Sequence, residues 1–197
     1  MTNHRSQSPP VFDLIQILHW LALSTWFGGV LFIAIAAPII VRGVRDSNPV
    51  MTSILSVNLE GQHGTLMAGS IIAQIMSVLV RVELACAAVL LVALIGHWVL
   101  LPRSGTDLVM QIVRSALYVA AVGLLLYQWR IVWPRMWKNR QEYIDHADEP
   151  DVANPALDRF ERYQGELANV LIMLLAVLLG MVLFSAAIRQ VVAVPVP

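Results

Sequence analysis

Composition places this chain among membrane proteins. It has 197 residues, of which 58% are hydrophobic and 13% charged, whereas soluble domains average about 45–50% apolar and 25% charged residues. The 13 basic and 13 acidic residues cancel, which excludes the strongly basic surface that nucleic-acid binding requires. A single cysteine, Cys86, excludes an internal disulfide and a CxxC metal or redox motif.

Four apolar stretches are long enough to cross a bilayer, which takes about 20 mostly apolar residues in a helix. They are Leu14–Val41, Leu84–Leu101, Leu108–Trp133 and Leu167–Ile188. Because backbone polar groups inside lipid must be bonded within their own segment, stretches of this length are helices. The sequence therefore predicts an all-α polytopic membrane protein, a four-helix transmembrane bundle in a single membrane domain over residues 1–197.

Three of the predicted helices extend beyond their apolar stretches. No proline interrupts Met67–Leu101, so the second helix is predicted to be continuous and to stand partly outside the hydrocarbon layer. The third helix is predicted over about 108–137 and the fourth over about 160–188. A cytoplasmic loop is expected over about 138–159, because two prolines there interrupt the helical pattern.

The distribution of Lys and Arg predicts the orientation, since these residues accumulate on the cytoplasmic side of a membrane protein. The side with the first and third loops carries Arg42, Arg45, Arg81, Arg130, Arg135, Lys138, Arg140, Arg159 and Arg162. The other side carries Arg5, Arg103, Arg114 and Arg189. Loops one and three are therefore expected in the cytoplasm, and both termini outside.

Each predicted helix carries one stripe of polar or small residues, and two of the stripes hold a histidine at the same depth. His19 lies roughly 8 Å inside the outer end of the first helix, and His97 lies about four residues from the outer end of the second. If both stripes face inward, these two imidazoles could bind one metal ion or haem iron between them. Arg114 comes near the same level and could neutralise a haem propionate. Gln16, one turn before His19, could orient that ring by a hydrogen bond.

Two other interpretations of the histidine stripe stay open. Each imidazole could bond a backbone carbonyl or an interfacial water, without any ligand role. Copper could take the place of haem, but it prefers sulfur ligands together with imidazole, and Cys86 lies about 16 Å from His97 along the helix. Copper is therefore the weaker form of the metal hypothesis.

A second polar cluster is predicted at the cytoplasmic ends of the helices. Its members are Arg81, Glu83, Gln128, Arg162, Glu166 and Asn169. Glu83 and Glu166 each have a basic neighbour, so ion pairs that fix the helix ends are predicted. A proton relay or a substrate gate is the alternative.

Motifs of soluble enzymes are missing from the sequence. It contains no phosphate-binding loop, no GxGxxG after a strand, no GxSxG and no HExxH, so hydrolase, kinase and dehydrogenase functions have no support. Any catalysis would depend on a bound cofactor or on the buried polar clusters.

Short motifs along the chain resemble those of a bacterial membrane superfamily. They are His19-Trp20-Leu21-Ala22, Trp26-Phe27-Gly28-Gly29, Ala37-Pro38, Ala68-Gly69, Tyr127 with Pro134-Arg135-Met136, and Phe160 through Asn169. The superfamily includes copper-resistance D-like proteins, the haem-dependent protoporphyrinogen oxidase of many bacteria, and an uncharacterised family similar to transmembrane protein 205. The chain resembles the uncharacterised family best, over roughly Leu18 to Phe184.

The resemblance implies a four-helix bundle in the bacterial inner membrane, with His19 at the position of the oxidase's haem-ligand histidine. Two departures are visible. The oxidase has a further histidine where this chain has Ile39-Ile40-Val41-Arg42, and the uncharacterised family tends to have one where Tyr163-Gln164 stands here. The first departure weakens the assignment to the oxidase branch, and the second removes a ligand from the cytoplasmic end.

Two functional hypotheses follow. In the first, the protein binds or handles a cofactor or metal at the outer His19 and His97 site. Haem b is the main candidate there, copper is less favoured, and a haem-dependent oxidoreductase resembling protoporphyrinogen oxidase is the enzymatic version. In the second, the bundle is a non-catalytic structural or interaction subunit, and its charged third loop docks a second copy or another membrane protein.

Overall fold

The structure, a computed structural model, describes residues 10–47, 63–100, 105–146 and 148–193. Five α-helices and one π-helical turn follow one another there: α1 Pro10–Asp46, α2 His63–Leu100, α3 Gly105–Tyr127, the π turn Gln128–Val132, α4 Trp133–Asp145 and α5 Pro150–Ala193. Four helical segments are long and apolar enough to cross a membrane, and the described ranges contain no strand. The predicted all-α membrane bundle with four spans is confirmed.

The second helix is continuous, as the absence of proline predicted. α2 has 38 residues, which at 1.5 Å per residue give a length of about 57 Å, well beyond the ~30 Å of a hydrocarbon layer. Part of α2 therefore stands outside the apolar layer, and the same holds for the 37 residues of α1. The predicted last residue of this helix, Leu101, lies outside the described residues.

The predicted loop over 138–159 is mostly helical, so its boundaries are corrected. α4 continues to Asp145, and α5 begins at Pro150 after a short turn. Pro150 takes the first helical position, where its missing N–H removes no intrahelical bond. The two helices form a hairpin in which Arg159 Nη2 lies 3.2 Å from Glu142 Oε1. Pro150 thus begins a helix, and Pro155 lies inside the same helix without ending it.

A π-helical turn joins the third span to α4. Pro134 has no N–H to offer the carbonyl group of Arg130, four residues before it, and its ring would collide with that group in a regular α-helix. The chain widens by one residue here, and the Trp133 N–H bonds to the carbonyl oxygen of Gln128. The turn therefore lets one helix pass a proline without breaking.

The first two helices pack closely because glycines lie at their contact. A Cβ atom at Gly29 would lie 2.9 Å from Leu79 Cδ1, and one at Gly96 would lie 2.8 Å from Ile15 Cδ1. Neither distance is compatible with an unshifted neighbour, so a larger residue would require the Leu79 or Ile15 side chain to move aside. This contact fixes α1 and α2 next to each other along their length.

Buried side chains form two apolar cores at successive depths of the bundle. The core nearer the start of α1 includes Leu23, Trp26, Leu90, Leu125, Leu174 and Leu178, and we call it the near core. The far core consists of Ile33, Met76, Val132, Met136, Phe160 and Leu167. Large apolar side chains also face outward, for example Phe32 and Val99, which are 64% and 76% exposed. Such an exterior requires lipid around it.

Candidate functional site

The structure brings the two predicted histidines together. The start of α1 and the end of α2 meet at one end of the bundle, which we call the histidine end. The ring centroids of His19 and His97 lie 5.9 Å apart with an angle of 73° between the ring planes. Each residue is only 3% exposed, so both rings face the interior and not the acyl chains.

Arg114 joins the site from α3, as the depth of the residue predicted. Its Nη2 lies 2.9 Å from His19 Nε2, and because a guanidinium can only donate, this ring nitrogen accepts. The Ser185 hydroxyl, from α5, lies 3.4 Å from the same nitrogen. Arg114 is 8% exposed, and its Nε has no hydrogen-bond partner. None of the ion pairs between described side chains includes it.

His97 uses both of its ring nitrogens. Its Nδ1 lies 2.6 Å from the carbonyl oxygen of Ala93, which can only accept, so Nδ1 carries the hydrogen. Its Nε2 lies 3.1 Å from Gln16 Oε1. Nε2 of this neutral ring is an acceptor, and the two ends of an amide are interchangeable, so we assign the Gln16 amide in the flipped orientation, with its nitrogen donating to Nε2. Gln16 was predicted to orient His19, but its side chain crosses to α2 and orients His97 instead.

Two polar residues of the site, Gln111 and Ser185, were not predicted from the sequence. Gln111 Nε2 donates to the carbonyl oxygen of His97 at 3.3 Å, and Ser185 lies against His19. Gln111 precedes Arg114 by three residues, the spacing of one helix face, and that spacing could have found it. Ser185 carries no such signal, because a single serine in an apolar helix is ordinary.

A small, partly open cavity of about 10 Å³ lies beside His19, with room for about one water molecule. His19, Leu90, Leu94, Arg114, Tyr118 and Met181 line it. A porphyrin therefore does not fit between the two imidazoles in this arrangement. The described residues also contain no group of three or more His, Cys, Asp or Glu side chains that could hold a metal ion.

The chemistry of the site favours anions over cations. Two neutral imidazoles face it with acceptor nitrogens, and these are engaged by Arg114 and Gln16. A bare metal ion would have to displace both donors and then lie beside a permanent positive charge. A carboxylate or another anion would instead complete the hydrogen bonds of the guanidinium.

The second predicted cluster does not form as expected. Glu83 and Gln128 are fully buried, whereas Arg81, Arg162 and Asn169 are exposed. Neither carboxylate oxygen of Glu83 has a hydrogen-bond partner, so its predicted ion pair is wrong. The arginines extend away from the bundle axis, because an exposed guanidinium avoids the desolvation that pairing with a buried carboxylate requires.

Glu166 also lacks the predicted ion pair among the described side chains. It accepts a short hydrogen bond from the hydroxyl group of Tyr127, which joins α5 to the end of α3. The bond lies on the outside of the bundle, where Tyr127 is exposed. It links helices at the surface and forms no part of a buried relay.

Comparisons with protein-family models, with curated proteins and with solved structures found no match to this chain. Its own residues therefore carry the functional argument. The fold and the site define an integral membrane protein: a four-span helical bundle with a buried, positively charged polar site at one end.

Proposed function

We propose that this protein is a membrane bundle that binds a cofactor or another ligand through an anionic group at the histidine end. The buried guanidinium of Arg114 carries the proposal, because its described partners are neutral and its Nε has none. An unpaired charge inside a bilayer costs roughly several kcal/mol. An anion is the complement that would remove this cost, and His19 and His97 add neutral polar contacts beside it.

Haem b is the cofactor that the resemblance to the copper-resistance D-like superfamily implies, and its two carboxylate arms suit Arg114. In that form His19 would be the iron ligand, and the activity would be that of a haem-dependent oxidoreductase similar to protoporphyrinogen oxidase. The carboxylate arm fits the chemistry of the site, but the macrocycle does not fit between the rings of His19 and His97 as they lie. We therefore assign no reaction step to it.

Copper is the weaker candidate on the same geometry. Only two imidazoles are available to it, both already bonded, and Arg114 adds a positive charge at the ligand position. Cys86 is buried within the near core, far along α2 from His97. In this proposal the histidine end lies on the extracytoplasmic side of a bacterial inner membrane, and the charge bias of the loops supports that orientation.

The roles of Arg114 and His19 can be tested separately with two porphyrins that carry the same carboxylates, one with iron and one without. Purified protein in detergent is titrated with haem b and with metal-free protoporphyrin IX, followed by absorbance and by fluorescence. Arg114→Gln is expected to weaken both by 30-fold or more, since loss of one partner of a buried charge pair costs about 2–5 kcal/mol. Arg81→Gln, at an exposed arginine, is the matched control and should leave both affinities unchanged.

Iron ligation gives a second, independent result from the same titration. If His19 is the axial ligand, His19→Ala abolishes the haem Soret shift but leaves protoporphyrin binding nearly intact. Equal binding of both porphyrins by wild type and Arg114→Gln would contradict the anion site. A protein that binds neither porphyrin would contradict the cofactor form of the proposal, and bound copper in the purified protein would favour the metal form.

A structural or interaction subunit is the second candidate, and one observation favours it. The segment expected to be a loop is an ordered helical hairpin with exposed charges, among them Arg135 and Lys138 on α4 and Asp158 on α5. Crosslinking in mild detergent tests it, because a stoichiometric partner or second copy should be lost in a Lys138→Glu variant. A monodisperse, uncrosslinked bundle would contradict this candidate.

A further inference from the structure

A polar layer separates the two apolar cores of the bundle. On α2, Glu83 lies between Cys86 of the near core and Met76 of the far core. On the third span, Gln128 lies between Leu125 of the near core and Val132 of the far core. Both Glu83 and Gln128 are 0% exposed. The apolar interior is thus interrupted where these two side chains enter it.

Glu83 and Gln128 lie at the same depth. Glu83 is fourteen residues from His97 on α2, and Gln128 is fourteen residues from Arg114 on the third span. The site at the histidine end places His97 and Arg114 at one level, so fourteen residues bring both polar side chains about 21 Å from that level, deep in the bundle. The π turn begins at Gln128 itself, and such turns are frequent at functional sites.

Every polar side-chain atom in this layer lacks a partner. Both carboxylate oxygens of Glu83 and both amide atoms of Gln128 are buried without a hydrogen bond. The indole N–H of Trp26, on α1, also makes no hydrogen bond in the structure. The Trp26 and Glu83 side chains are nevertheless neighbours, close enough for the indole to influence the carboxyl group. One such orphan costs about 1–3 kcal/mol, and an unpaired charge costs more. A further binding partner is therefore expected in the layer.

We propose that Glu83 is a proton-binding site inside the bundle, in which an internal water links its carboxyl group to the Gln128 amide and the Trp26 indole. A water needs two to four polar partners, and these three side chains provide them. A metal cation is less suited, because hard cations take about six to eight oxygen ligands and the three side chains hold only three oxygens. The carboxyl group therefore carries a proton in place of an unpaired charge.

No other charged group faces Glu83 among the described residues. Trp26 of α1 lies next to it, Gln128 of the π turn lies at its depth, and Leu171 of α5 packs against both cores. The Cys86 thiol, one turn away on α2, is the only other titratable group beside it. Arg81, two residues before Glu83, is exposed. This site is independent of the ligand proposed at the histidine end.

Infrared spectroscopy of the purified full-length protein at neutral pH tests the proposal. The carbonyl-stretch band of a protonated carboxylic acid is expected in the wild type, with complete loss in Glu83→Gln. Glu166→Gln is the matched control, since Glu166 is half-buried and bonded to Tyr127, and the band should persist in it. Absence of the band in the wild type, or its persistence in Glu83→Gln, would overturn the proposal.

Further measurements on the same infrared band test the water link and test whether the site binds a proton or a metal cation. Transfer to D2O should shift the band because the proton is exchangeable, and Gln128→Leu should move it to higher frequency because a hydrogen bond is lost. An unchanged band in either case would overturn the link. Disappearance of the band on addition of sodium chloride would show a monovalent cation site and overturn the proton site.

Discussion

The histidine end and the Glu83 layer are equally buried, yet their polar groups are bonded in opposite ways. At the histidine end, His19 and His97 each have partners on other helices, and Arg114 is bonded to a ring nitrogen. In the Glu83 layer, the carboxyl group and the Gln128 amide have none. Burial by itself therefore does not distinguish a preformed polar network from a set of groups that lack a partner. The hydrogen bonds of the side chains make that distinction.

The largest effect is expected when the histidine network is broken from one side. His19→Leu removes the acceptor of Arg114 and leaves one more donor of the buried guanidinium unbonded, at a cost of about 1.5–3 kcal/mol. Unfolding in detergent followed by circular dichroism measures the loss. Adding Arg114→Met to His19→Leu should restore part of the stability, and a double variant no more stable than the single one would contradict the coupling of the two residues.

The opposite sign is expected in the Glu83 layer. Replacing both orphan residues, as Glu83→Leu with Gln128→Leu, should leave stability unchanged or raise it by about 1–3 kcal/mol, because both unbonded buried groups are removed. The Trp26 indole N–H has no direct hydrogen bond in the structure to lose. Gln16→Leu at the histidine end is the contrasting variant. It should destabilise by about 1–2 kcal/mol, because His97 Nε2 loses its donor. Stability changes of the same sign in the two regions would contradict the difference in bonding between them.

Close packing next to the histidine end gives a smaller effect. Gly96→Ala places a Cβ 2.8 Å from Ile15 Cδ1, whereas Gly28→Ala meets nothing within 4 Å. The first variant should be less stable than the second by about 1–2 kcal/mol, since only the first must shift a neighbour. Thermal unfolding of the two proteins in one detergent compares them, and identical midpoints would show that the Ile15 side chain moves aside without cost.

The smallest effect is expected from a single hydrogen bond between the two regions. The Tyr118 hydroxyl donates to the Ala87 carbonyl oxygen at 2.9 Å and ties α3 to α2. Tyr118→Phe should cost about 0.5–1.5 kcal/mol, the net value of one such bond. Hydrogen exchange at the Ala87 turn of α2 gives a local readout. Unchanged exchange together with unchanged stability would show that this bond does not hold the helices together.

Depth along the helices was predictable, but bonding was not. Counting residues placed His19, His97 and Arg114 at one level, because the rise of a helix is fixed. The same count could not show that the Gln16 side chain reaches across to α2, or that Glu83 makes no ion pair with Arg81, two residues before it. Those outcomes depend on rotamers and on the neighbouring helix, which a single stripe does not specify.

The α4–α5 hairpin shows the same limit for the backbone. Pro150 and Pro155 predict an interruption of the helix, which is the usual effect of proline. In the fold Pro150 is the first residue of α5, where a missing N–H is tolerated, and Pro155 lies inside α5, which continues through it. The position of a helix start depends on which residues pack, here the hairpin between α4 and α5, and proline alone does not fix it.

The sequence by itself determined the membrane class, the four helical spans, the continuity of α2 and the common depth of the two histidines, because apolar length and helical rise are local quantities. Only the tertiary structure decided which polar atoms found partners: Arg114 on His19, Gln16 on His97, and none for Glu83 and Gln128. The reason is physical. A hydrogen bond between helices needs two side chains within about 3 Å in a suitable orientation, and only the packing of all the helices sets that distance.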